Sequence, residues 1–258
     1  MSQVHYLKKF ADDTKLAMVV EIDDDHARII HMGNKNSNYK YSMGGRVLDV
    51  IDSEKDVGVT IHKSLKPSLQ CARAATKANL VLGQLARAVT YRDRTTFIRL
   101  YQMYVWPHLE YAAQSWCPWN VADKEILEKV QRRAINMVSN LRGRTYEEKL
   151  SELGMVNLEA RRRRRDMIQI FKILSGIDHV QPATWFILGN TLVREGAAQT
   201  RSTTSNHTIM EMWANTDIRR NFFSQRVIKP WNNLPDQIKS VSSVDIFKND
   251  YDIWLSYQ

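Results

Sequence analysis

"LKPSLQCARAATKANLVLGQLARAV", Leu65–Val89, is the stretch whose reading decides the fold class. Leu65, Leu69, Ala72, Thr76, Asn79, Leu82 and Leu85 or Ala86 recur at helical spacing, which predicts an amphipathic helix with Pro67 in its first turn. Upstream the pattern is different. "VHYLKKF", "TKLAMVVEI", "ARIIHMG", "YKYSMGG" and "DVGVTI" are short, β-branched or alternating, and Asp, Asn and Gly separate them, as expected of strands. Downstream the helical pattern continues. "DRTTFIRLYQMYVW" begins at an Asp93 cap and is expected to stop or kink at Pro107. "DKEILEKVQRRAINMVSNL" sets Ile126, Val130, Ala134, Met137 and Leu141 on one face. "YEEKLSELG" and "NLEARRRRRDMIQIFKILSG" close on Gly154 and Gly176 as C-caps. The fold class that follows is α+β and predominantly helical, a small antiparallel β piece followed by helices. Residues 189–208 are small and polar and read as an exposed loop. In the tail, Phe222, Phe223, Val227, Trp231, Leu234, Phe247 and Trp254 are expected to pack back onto the helices.

The chain has 258 residues, 43% of them hydrophobic, enough for a core. No apolar run approaches the roughly 18 to 20 residues that span a bilayer, and the two cysteines, Cys71 and Cys117, suit neither a disulfide framework nor a four-cysteine zinc site. The net charge is +9, and its distribution is uneven. Lys129–Arg165 holds eleven basic residues against four acidic ones, an excess of +7. A polyanionic partner fits that balance.

Two features carry candidate chemistry. In "KKFADDTKL", Lys8–Leu16, a hairpin tip would bring Asp12 and Asp13 close enough to repel unless a cation joins them. Clustered carboxylates of that kind hold Mg²⁺ at phosphoryl-transfer sites, but an Asp-Asp pair is also an ordinary turn, and on the local residues alone both readings stay open. The second feature is "EARRRRRDM". Five consecutive arginines, Arg161, Arg162, Arg163, Arg164 and Arg165, point all round a helix, so some must turn inward. The stripe shared by Leu158 and Ile168 takes Arg161 and either Arg164 or Arg165, to be paired with Glu159, Asp166 or phosphates. With Arg132, Arg133, Arg142 and Arg144 they form a candidate surface that follows a nucleic-acid backbone without reading bases. The aromatic group Trp106, Tyr111, Trp116 and Trp119 reads as core around a proline, in preference to a base-stacking platform.

"FADDTKL" is followed in order by "YSMGGRVLDVIDSEKDVGVTIHKSLKPSLQCARAATKANLVLGQLARA", "LYQMYVWPHLEYAAQSWCPW", "LEKVQRRAINMV", "YEEKLSELGM", "LEARRRRRDMIQIFKIL" and "FFSQRVIKPWNNLP". This succession resembles the C-terminal part of reverse transcriptases encoded by LINE-type (non-LTR) retrotransposons of the jockey-like group, over nearly the whole chain. The resemblance implies RNA-directed DNA polymerisation, a nucleotidyltransferase activity, with "FADD" as the polymerase box and Asp12 and Asp13 as two of three carboxylates that hold Mg²⁺. It also implies the domain plan. Residues 1–62 correspond to a truncated palm remnant with the FADD hairpin, in which "SEKDVGVTI" resembles the end of the palm that holds the primer. Residues 63–188 correspond to a helical thumb-like and basic region that grips template and primer, and residues 189–258 to a partly ordered C-terminal tail.

Family members carry an endonuclease, the fingers and the palm strand with the third aspartate before the "ADD" box. This sequence has none of them, and Asp23–Asp25 match no family aspartate and read as a charged turn. Without those parts, positioning and charge neutralisation are both lacking, and the expectation is a truncated polymerase that does not polymerise alone. The implied partner is RNA or an RNA/DNA template-primer in the nucleus or cytoplasm, with a protein partner or a full-length element polymerase possible and no membrane. The alternative is a non-catalytic protein-interaction module derived from a retroelement.

Overall fold

The strand-forming residues Leu16–Val20 (β1) and Arg28–Met32 (β2) pair antiparallel, from Leu16 opposite Met32 to Val20 opposite Arg28. The structure is a computed structural model that describes residues 16–20, 28–33, 36–43, 45–139, 141–189 and 207–257. Ser42–Met43 (β3) and Arg46–Val47 (β4) form a hairpin, and Asp49–Val50 (β5) returns to the free side of β2. That return is parallel, Arg28 opposite Asp49 and Ile29 opposite Val50, so this sheet is mixed where an antiparallel piece was expected. Residues 33–48 supply the long crossover that a parallel pair requires. Ser53–Asp56 (β6) and Val59–His62 (β7) form a second hairpin, with Val57 and Gly58 at positive φ in its two-residue turn. The expected strand "VHYLKKF" lies outside the described residues.

The long amphipathic stretch forms a helix, Ser68–Ala88 (α1), but it faces its neighbours differently from the sequence expectation. Its buried line is Gln70, Cys71, Ala74, Ala75, Ala78 and Leu82, while Ala72 and Thr76 are exposed. Small side chains make the contact face because α1 lies close against other elements, and reading by hydrophobicity favours Leu over Ala. Asp93 caps Arg94–Leu100 (α2), its carboxylate accepting from the Thr96 N–H at 3.0 Å. The helix does not stop at Pro107. It widens into a π-helical turn over Tyr101–Val105 and resumes as Trp106–Glu110 (α3) with Pro107 in the first turn. Widening upstream accommodates the missing N–H and the ring that would strike the preceding turn.

Ala113–Trp116 (α4) and Val121–Asn136 (α5) follow. The buried face of α5 is Asp123, Leu127, Val130, Gln131, Ala134 and Ile135, whereas the expected Ile126 is exposed. A capping box between Thr145 and Glu148 starts Tyr146–Glu152 (α6), and Asn157 caps Leu158–Leu174 (α7) by accepting from the Ala160 N–H at 2.8 Å. The remaining helices are short except the last: Asp217–Arg220 (α8), Phe223–Arg226 (α9), Ile228–Asn232 (α10), Asp236–Lys239 (α11) and Val244–Ser256 (α12). The loop expected over 189–208 falls mostly on residues 190–206, outside the described residues.

The chain divides into two compact units, the described residues of Met1–Ala112 with Pro118–Leu153, and those of Ala113–Cys117 with Gly154–Gln258. This division runs across the expected boundaries at 62/63 and 188/189. In the first unit the β6–β7 hairpin is bonded to α1, since the Thr60 N–H donates to Gln70 Oε1 at 2.8 Å and Arg73 donates to the Thr60 hydroxyl at 2.8 Å. The Tyr111 hydroxyl donates to the Val57 carbonyl at 3.0 Å, and a Cβ on Gly58 would come within 3.0 Å of the Tyr111 ring. In the second unit Met167, Ile170, Phe171 and Ile173 of α7 pack with Phe223, Val227, Trp231, Leu234, Phe247 and Tyr251. The tail aromatics therefore complete the core around α7. The architecture is α+β and predominantly helical.

Candidate nucleic-acid interface

The nine arginines singled out from the sequence are shared between the units. Arg132, Arg133, Arg142 and Arg144 belong to the first, and Arg161–Arg165 to the second.

In the first unit, Arg132 is tied into a polar network. Its guanidinium pairs with Glu125 at 2.6 Å and lies over the Tyr146 ring at 4.9 Å. The Tyr146 hydroxyl donates to Glu128 and accepts from Gln131 Nε2 at 3.1 Å. Gln131 is fully buried, and its Oε1 accepts from the Tyr101 hydroxyl at 3.2 Å and from Trp106 Nε1 at 3.1 Å. Burial pushes the Tyr101 hydroxyl well above the usual phenol range, and burial together with the bond to Glu128 pushes Tyr146 the same way. Both therefore remain protonated donors. Arg133 is exposed and donates to Asn79 at 3.2 Å, Arg144 pairs with Glu152, and Arg142 is exposed. A further basic face escaped the sequence reading. Arg73, Lys77 and Arg87 are exposed along α1, which contains no acidic residue. Their spacing was legible, but the expected stripe would have turned Arg73 and Lys77 elsewhere.

In the second unit the inward-turning arginine is Arg162, not Arg161. Leu158, Arg162, Asp166, Ile170 and Ile173 share the buried side of α7, and Arg162 is 4% exposed. Among the described residues its Nε and Nη2 have no hydrogen-bond partner, and its charge acts on Asp166. That carboxylate is taken by Arg226, which donates Nε at 2.8 Å to Oδ2 and Nη2 at 3.0 Å to Oδ1. Arg226 also donates to the Asn221 carbonyl at 3.1 Å and the Gln114 carbonyl at 3.0 Å, linking α7, α9 and α4. Burial raises the Asp166 carboxyl, against the lowering pull of Arg226 and Arg162. Arg164 is held outside by a two-pronged pair with Asp252 at 2.6 and 2.7 Å, whose hydrogen bond raises its pKa further. Arg161 and Arg165 are half-buried and engaged with neighbours. Arg163, exposed and only 3.9 Å from Glu159, is the arginine of the run best placed for a phosphate.

Asp12 and Asp13 lie outside the described residues, and so do Asp23–Asp25. Among the described residues there is no group of three or more His, Cys, Asp or Glu side chains that could hold a metal ion. Trp116 is buried and Trp106 half-buried with its indole N–H satisfied, as expected of core; Tyr111 is 53% exposed with its hydroxyl bonded to Val57. No helix among the described residues is long and apolar enough to cross a membrane. Comparison with known protein families, curated proteins and solved structures finds no match.

Proposed function

We propose that this chain is the C-terminal part of a reverse transcriptase of a LINE-type, jockey-like retrotransposon, acting as a nucleic-acid-holding piece that does not polymerise alone. The observation that carries the reading is the family order of motifs from "FADDTKL" to "FFSQRVIKPWNNLP". On this reading the strands correspond to the end of a palm and the helices from α1 onward to a thumb and its extension. Asp12 and Asp13 descend from a Mg²⁺ site, and no chemical step is assigned to it. The surface chemistry supports the holding role. Arg133, Arg142 and Arg163 are exposed, as are Arg73, Lys77 and Arg87 of α1, and contacts from such side chains to phosphates give salt-dependent binding of weak sequence preference. The partner is RNA or an RNA/DNA template-primer inside the cell.

The test is primer extension on an RNA template with Mg²⁺ or Mn²⁺, with binding of the same template and primer followed across a salt series. Binding that weakens steeply with salt, without extension, is the expected result. Extension abolished by Asp12→Asn would overturn the inactive state, and absence of both signals would put the protein-interaction module in first place.

A further inference from the structure

Between β2 and β5 the chain exposes a run of large side chains that the core does not use. Tyr39 is 67% exposed, Val47 and Val50 60% each, Met43 40% and Tyr41 39%. All but Val50, which belongs to β5, fall within the crossover and its hairpin, and clustering of this kind marks an interaction surface. The two rings are braced. Tyr41 lies 6.1 Å from the buried His31 ring of β2, and Tyr39 meets Tyr41 edge-on at 5.3 Å and 75°. The backbone beneath them is anchored by the Leu48 N–H, which donates to the Tyr41 carbonyl at 2.9 Å, and by the buried Leu48 side chain.

The charge along this segment of the chain has one sign. Residues 33–48 contain Lys35, Lys40 and Arg46 and no acidic residue, the nearest carboxylate in the chain being Asp49. Lys40, which precedes Tyr41 in sequence, and Arg46, which follows it, are both exposed. Exposed rings interleaved with cations match an unpaired nucleotide strand, whose bases offer a flat face and whose phosphates offer negative charge. We propose that Tyr39 and Tyr41 form a stacking platform for unpaired bases of a single-stranded nucleic acid, with Lys40 and Arg46 meeting its backbone. The inference builds on the nucleic-acid-holding reading above and adds a site and a strandedness that the arginines do not specify.

The experiment uses the full chain and two probes, an oligoadenylate RNA carrying 2-aminopurine and an RNA duplex of equal length. Tyr39→Ala and Tyr41→Ala are expected to weaken binding of the single strand roughly tenfold each and to relieve 2-aminopurine quenching, while duplex binding stays unchanged. Tyr39→Phe keeps the ring and is expected to bind like the parent chain. Because Tyr39 is largely exposed, its variants test the site even if Tyr41→Ala disturbs the hairpin. Single-strand binding unaltered by Tyr39→Ala, or weakened as much by Tyr39→Phe as by Tyr39→Ala, would overturn the platform and leave the arginine reading standing. If neither probe binds at all, both readings fall, and an altered self-association of Tyr39→Ala with no change in RNA binding would reassign the patch to a protein partner.

Discussion

The two compact units bury their long helices against different interiors. In the first, α1 presents Cys71, Ala74, Ala75 and Ala78, and α5 contributes Gln131, whose amide serves Tyr101, Trp106 and Tyr146 together. In the second, α7 meets aromatic rings, with Phe171 stacked on Phe247 at 4.4 Å and Trp231 fully buried, and a single carboxylate, Asp166, faces two guanidiniums. Directional bonds distribute the polar cost of the first interior over several partners. The second concentrates it on one group. Loss of a hub with neutral partners and loss of the counter-charge for buried cations should therefore differ in size.

Asp166→Ala should have the largest effect. It leaves the half-buried Arg226 and the buried Arg162 without that carboxylate, at a cost on the order of 3–5 kcal/mol. Amide hydrogen exchange resolved along the chain should show the loss in α7 and α9 and spare α1 and α5; an equal loss in both units would break the comparison. Next is Gln131→Leu, which strands the buried Tyr101 hydroxyl at about 1–3 kcal/mol. Adding Tyr101→Phe should recover part of that loss in urea unfolding, because the stranded hydroxyl is gone. Failure to recover would mean that packing, not hydrogen bonding, holds the first unit together.

The arginine run offers a sharper contrast within one helix. Arg162→Met should be neutral or stabilising, since it removes a buried guanidinium whose Nε and Nη2 have no partner among the described residues, and it should leave RNA affinity unchanged. Arg163→Gln should leave stability unchanged and reduce the slope of log affinity against log salt by about 0.7–0.9, one phosphate contact. Salt titrations of the two variants side by side would expose any reversal of these roles. The smallest effect concerns α6. Glu148 accepts from the Thr145 N–H at 2.8 Å, and that bond, followed by the one with the Thr145 side chain, holds its carboxyl below the ordinary 4.5. A carboxyl lowered by folding contributes stability that is present above its unfolded value and lost as pH falls through the folded one. Exchange protection of α6 should accordingly weaken below about pH 4.5, and Glu148→Gln should remove that pH dependence.

Much of the local structure was legible because short-range chemistry sets it. Asp93 caps α2 where its side chain can reach a backbone N–H, and Gly154 and Gly176 stand at positive φ where helices end. The facing of those helices was not legible to the same degree. Cys71 and Ala74 look weaker than Leu69 by hydrophobicity, yet they form the buried line of α1 because a close neighbour needs small side chains. In the candidate interface, nine arginines could be counted, but their consecutive run made Arg161 and Arg162 equivalent until Asp166 and Arg226 fixed which side of α7 is inside. The Tyr39–Tyr41 pair went unread because nothing local separates an exposed tyrosine from a strand residue packed in a core.

Composition, charge and the spacing of apolar residues alone determined that this is a basic, predominantly helical α+β chain, and they placed the Asp93 cap and the glycine ends at Gly154 and Gly176, since these depend on contacts within a few residues. Tertiary structure decided which arginine is buried, that β5 returns parallel to β2, and which aromatic rings face water. Each of those depends on a group outside the local segment: Arg226 on Asp166, Val50 on Ile29, Tyr41 on His31. Only the closed fold brings such partners within bonding distance.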